Sequence, residues 1–123
     1  MCRPFLARIL LLVVLCQTGQ TIAADSEECV VLLHGLFRSS VAMKPMEWYL
    51  EQAGYQVVNQ GYDSISATIE VLAETAVGAG LAACQNLGSS RVHFVTHSLG
   101  GVLVRQYASV HSLAPGSRVV MLG

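Results

Sequence analysis

Ser98 stands in the run Thr96-His97-Ser98-Leu99-Gly100, directly after the apolar stretch Val92 to Thr96. A neutral hydroxyl is a poor nucleophile, so a reactive serine must project into a site where a base can reach it. A sharp strand-to-helix turn does this, and its usual spacing is Gly-x-Ser-x-Gly, the nucleophile elbow. The residues around such a turn must be small, because strand and helix pass closely there. Gly100 and Gly101 meet that demand. Thr96 stands where glycine is usual and is still small enough for many such turns. The chemistry that this spacing permits is attack on an acyl carbonyl with a covalent acyl-serine.

A second chemical signal lies upstream. His34-Gly35 directly follows the apolar run Val30-Val31-Leu32-Leu33. Apolar runs of this length without alternation are the pattern of strands covered on both faces.

The elements that must position these groups can be laid out in order. Strands are expected at Cys29–Leu33, Tyr55–Asn59, Val92–Thr96 and Arg118–Leu122. Met43, Met46, Leu50 and Ala53 recur at helical spacing, so a helix is expected over Ala42–Ala53. Ser39 or Ser40 would cap it and Gly54 would end it. Asp63 or Ser64 would cap a long helix from Ile65 to Leu87, with a bend or break near Gly78 and Gly80. The elbow helix would run from Gly101 to Val110. Strands alternating with helices imply a parallel α/β sheet, whose ligand sites lie at the carboxyl ends of the strands. His34-Gly35, Asp63, Ser98 and Gly123 all fall at that edge.

A strand ending in His-Gly, well upstream of a serine elbow, resembles the α/β-hydrolase superfamily, and within it the lipase-like serine esterases. The resemblance covers about Glu28 to Gly123. It implies a mostly parallel α/β-hydrolase-type sheet with flanking helices, here incomplete at the C-terminus. It also implies that Ser98 is the nucleophile and that the backbone N–H groups of Leu36 and Leu99 form the oxyanion hole. His34 and Gly35 would support the oxyanion loop, and Thr96, His97 and Gly100 the elbow. The substrate would be a small-molecule or lipid ester, and no cofactor is implied. In the family's sheet order the His-Gly strand lies beside the elbow strand, which would bring Cys29 and Cys84 to the same non-catalytic edge. They would form a disulfide there or remain two buried thiols.

The rest of a triad is harder to find. In α/β-hydrolases an acid and then a histidine follow the serine, yet no Asp or Glu occurs after Ser98. His111 should point away from the strand edge, His93 sits mid-strand, and His97 adjoins the serine in the turn. Asp63 precedes the nucleophile and is more simply a helix cap or surface residue. The chain is therefore expected to be the N-terminal part of a hydrolase, with base and acid beyond Gly123. The alternative from another class is a non-catalytic binding module that retains the fold. The last strand would leave an open apolar sheet edge, so the chain alone is expected to aggregate.

Composition sets the remaining bounds. The chain has 123 residues, 53% hydrophobic and 12% charged, enough for one small domain. Arg3 and Arg8, the apolar run Ile9 to Cys16 and the small residues Ala23 and Ala24 read as a signal peptide over residues 1–24. Its apolar core is too short for a membrane span. Residues 25–123 would then be a secreted or periplasmic partial hydrolase domain. Of the seven basic residues, Arg3 and Arg8 leave with the signal peptide, so five remain against eight acidic ones. No basic cluster supports nucleic-acid binding, and no cluster of His, Cys, Asp or Glu has metal-ligand spacing.

Overall fold

The computed structural model describes residues 27–123, so the expected signal peptide lies outside the described residues. Strand β1 (Glu28–Leu33) is the centre of the sheet. Its residues Cys29 to Leu33 are buried, because both faces are covered. Each fully buried Val or Leu side chain there contributes about 1.5–3 kcal/mol of transfer free energy. Strand β2 (Gln56–Gln60) pairs on one side of β1, and β3 (Arg91–His97) pairs on the other, followed by β4 (Val119–Leu122). The order is β2-β1-β3-β4 and every pairing is parallel.

Alternate residues of β1 feed two separate cores. Val30 and Leu32 face helix α1 (Lys44–Gln52), where Met43, Met46 and Leu50 pack against them. Pro45 in the first turn of α1 forfeits no helical hydrogen bond. A 3₁₀ turn over Ser40–Met43 precedes the helix, and Ser39 closes it through its carbonyl rather than its hydroxyl. The expected serine side-chain cap is therefore absent.

Cys29, Val31 and Leu33 face the other way, onto α2 (Ile69–Leu72), α3 (Gly78–Asn86) and α4 (Leu99–Val110). This region corrects the expected long helix. The helix starts at Ile69, and Thr68 caps it by accepting the Val71 N–H at 3.4 Å. Asp63 and Ser64 are used elsewhere: the Asp63 carboxylate accepts the Ile65 N–H, and the Ser64 hydroxyl accepts the Phe37 N–H. Ile65, expected to begin the helix, precedes it and is 65% exposed.

The irregularity expected at the glycines occurs one turn earlier, as a π-helical turn over Ala73–Val77. Gly80 serves packing instead, since a Cβ there would lie 2.6 Å from a methyl of Val31. Close passage of α3 brings Cys84 onto Cys29, and the two form a disulfide with Cα atoms 5.9 Å apart. The bond lies at the end of the sheet opposite the strand carboxyl termini. Among the described residues, no helix is long and apolar enough to cross a membrane.

Candidate active site

The carboxyl ends of β1 and β3 lie side by side, with Leu33 paired to Thr96. Just beyond this pairing, both strands end and the chain changes direction. After β3 it turns through Ser98, whose φ of 49° and ψ of −115° lie outside the regions favoured by a residue with a side chain. Helix α4 begins at the next residue, Leu99. A strained serine between a buried strand and a helix is the arrangement that the spacing predicts for an elbow. Such strain costs about 1–3 kcal/mol and persists only where the surroundings enforce it.

Those surroundings can be named. The Ser98 N–H donates to the Leu122 carbonyl at 2.9 Å, which ties the turn to the end of β4. Thr96 is fully buried and its hydroxyl donates to the Val120 carbonyl at 3.3 Å. Thr96 thus uses its side chain to hold β4, which a glycine at that position would not do. Gly100 permits the close crossing of α4 over β1, because a Cβ there would stand 2.5 Å from the Leu33 carbonyl oxygen. Ser98 itself is exposed at the edge, and its hydroxyl makes no capping bond to α4.

The loop after β1 converges on the same point. A Cβ on Gly35 would lie 2.8 Å from Nδ1 of His97 and 3.3 Å from Cβ of Ser98, so the loop backbone abuts the elbow. Leu36 follows, and then Phe37 with a positive φ of 56°. Among the described residues, the Leu36 and Leu99 amides take part in none of the loop and turn backbone hydrogen bonds. As the first helical residue, Leu99 has no acceptor within α4.

A feature not read from the sequence holds this loop. His34 is 1% exposed and its ring stacks on Tyr62, with centroids 4.1 Å apart. Its Nε2 lies 3.1 Å from the Tyr62 carbonyl, and the Tyr62 hydroxyl donates back to the His34 carbonyl. Burial pushes the Tyr62 phenol up to about 12, so it stays a neutral donor. Ser64 adds a 2.9 Å bond from the Phe37 amide. The loop after β2 thus clamps the loop after β1. The available signal was the position of Tyr62 and Ser64 just beyond a strand that neighbours the His-Gly strand.

The other expected participants are not brought together. His93 accepts the Arg118 N–H through Nδ1 at 3.1 Å, and its Nε2 lies 3.7 Å from Glu28. His111 pairs with Glu74 at 2.7 Å, remote from the strand edge. His34 is occupied by Tyr62. His97 is exposed beside Ser98, and its ring hydrogen-bonds to no other described residue. Asp63 is committed to Ile65 and bonds to no histidine. Among the described residues no histidine or carboxylate hydrogen-bonds to Ser98, and no group of three or more His, Cys, Asp or Glu could hold a metal ion.

No protein-family model matches the chain, and no curated protein sequence matches it. Among solved structures it is similar to an extracellular α/β-hydrolase from a Paenibacillus species. That protein is described as sharing structural and functional homology with tobacco salicylic acid binding protein 2. The TM-score is 0.52 at 17% sequence identity, over 76% of this chain and 39% of that one. The chain thus spans about two fifths of the neighbour's length. The parallel four-stranded sheet, its flanking helices and this likeness together give the chain an α/β-hydrolase-like fold.

Proposed function

We propose that the chain is the nucleophile-bearing part of a secreted or periplasmic serine hydrolase acting on carboxylic esters. The observation that carries this reading is Ser98, exposed in strained backbone between β3 and α4. Its Oγ would attack the ester carbonyl while a base takes its proton. The oxyanion so formed would accept the Leu36 and Leu99 N–H groups, each worth about 10²–10³ in rate. Collapse would break the acyl–oxygen bond, the alcohol would leave with the proton, and water would then hydrolyse the acyl-serine. His34, Gly35, Thr96, His97 and Gly100 would hold the loop and the turn. Base and acid would come from outside the described residues. Export is supported by the Cys29–Cys84 bond, since disulfides persist in oxidising compartments. The extracellular origin of the structural neighbour agrees with it.

A second reading, a non-catalytic binding module, is favoured by one specific observation. His34, His93 and His111 are engaged elsewhere, and none of the four histidines bonds to the serine. A fluorescent fluorophosphonate separates the two readings. Applied to the product of the full open reading frame, it should label the protein and fail on the Ser98→Ala variant. No labelling of either would transfer the function to the binding module.

A further inference from the structure

Beside the elbow, the carboxyl edge of the sheet carries a groove of about 370 Å³. Small-molecule sites range over about 300–1,000 Å³, so one chain of modest length fits there. Met43, Met46 and Leu122 supply apolar walls, and His97, next to Ser98, also lines it. Among the described residues, Arg38 is the charged residue that lines it. Arg38 is exposed, and among the described residues its guanidinium makes no ion pair or hydrogen bond. The nearby carboxylate on α1, Glu47, is already taken by Lys44 at 2.8 Å and by Asn59 at 2.7 Å. Among the described residues, no acidic side chain lines the groove.

An apolar trough with an unopposed guanidinium selects for one chemistry. Arginine presents a planar fork of donors that matches a carboxylate. A neutral lipid would gain nothing from that exposed, hydrated cation, a carboxylate would gain a modest charge-assisted pair, and a cationic ligand would be repelled. We propose that the groove binds an apolar chain ending in a carboxylate, with the carboxylate on Arg38. Resting on the hydrolase reading of Ser98, the substrates are half-esters of medium-chain dicarboxylic acids. The ester carbonyl then faces Ser98 while the free carboxylate lies on Arg38.

The binding half of this proposal can be measured without catalysis, in the full chain carrying Ser98→Ala. Octanoate and octan-1-ol are titrated by saturation-transfer NMR, in this background and with Arg38→Gln or Ala42→Trp added. Arg38→Gln should lower the octanoate-to-octanol affinity ratio about fivefold, the size expected of one partly exposed charge pair. Ala42→Trp, which fills the groove, should weaken both ligands. A ratio unchanged by Arg38→Gln would overturn the assignment of Arg38. Unchanged binding in Ala42→Trp would overturn the groove itself. Neither result depends on whether Ser98 reacts, which the fluorophosphonate decides separately.

Discussion

Gly100, in the first turn of α4, lies directly against Leu33, the last residue of β1. A Cβ at Gly100 would stand 2.5 Å from the Leu33 carbonyl oxygen and 2.9 Å from the Leu33 Cβ. Neither of those atoms is the far end of a flexible side chain, so neither can move aside cheaply. The elbow helix therefore reaches the sheet at a spacing that only glycine allows, and this approach places Ser98 above the strand edge.

Gly100→Ala is accordingly expected to destabilise the fold by about 1–3 kcal/mol or more. Gly78→Ala is the matched control, because a Cβ there meets nothing within 4 Å. It should stabilise by about 0.5–1 kcal/mol through helix propensity. Urea unfolding midpoints of the two variants should move in opposite directions, and a shared direction would refute the packing argument.

Ser98 holds a positive φ with a side chain attached. Ser98→Gly should relieve that strain and raise stability by about 1 kcal/mol. The same variant removes the proposed nucleophilic hydroxyl, so fluorophosphonate labelling should vanish as stability rises. A Ser98→Gly protein that melts lower than the parent would mean that the turn is not strained.

The Cys29–Cys84 bond closes a loop with a sequence separation of 55 residues. A loop of that size corresponds to about 4 kcal/mol of lost unfolded-state entropy. Both cysteines are fully buried against the strand–helix core, so a Cys29→Ala/Cys84→Ala double variant should lose about 2–5 kcal/mol. Thermal melts in the presence and absence of reductant should differ for the parent and coincide for the double variant.

Tyr62 provides an alkaline signature. Its phenol is pushed up to about 12 by burial, against an ordinary value of 10.0. A group raised in the folded state contributes stability that is present below its unfolded value and lost as pH rises toward 12. Absorbance titration at 295 nm should show one late-ionising tyrosine, absent in Tyr62→Phe. Loss of the late component on unfolding would confirm its origin in burial.

On the acid side, Glu47 is held below the ordinary carboxylate value of 4.5, first by Lys44 and then by the Asn59 amide. A lowered group contributes stability that is present above that value and lost as pH falls through the folded one. Stability measured between pH 6 and 3 should therefore fall less steeply for Glu47→Gln than for the parent. Parallel profiles would remove Glu47 from the account.

Amino-acid order by itself determined the elements that the buried strands and the elbow depend on. The run Cys29–Leu33, the His-Gly after it and the serine flanked by small residues are local patterns. Period and residue size are enough to read them, because a doubly covered strand needs uninterrupted apolar residues and a tight turn needs small ones. The amphipathic spacing of Met43, Met46 and Leu50 placed the first helix within two residues of its observed start. Boundaries failed where a polar side chain had a distant partner. Asp63 and Ser64 look like caps in sequence, and only the neighbouring carboxyl ends of β1 and β2 show Ser64 bound to Phe37 instead. Gly80 looked like a weak point in a helix until its contact with Val31 made it a point of close packing. The stacking of Tyr62 on His34, the occupation of three histidines by other partners and the unopposed Arg38 were likewise decided only by the tertiary structure. Each depends on residues far apart in the chain meeting at one edge of the sheet, and no local period encodes which of them meet.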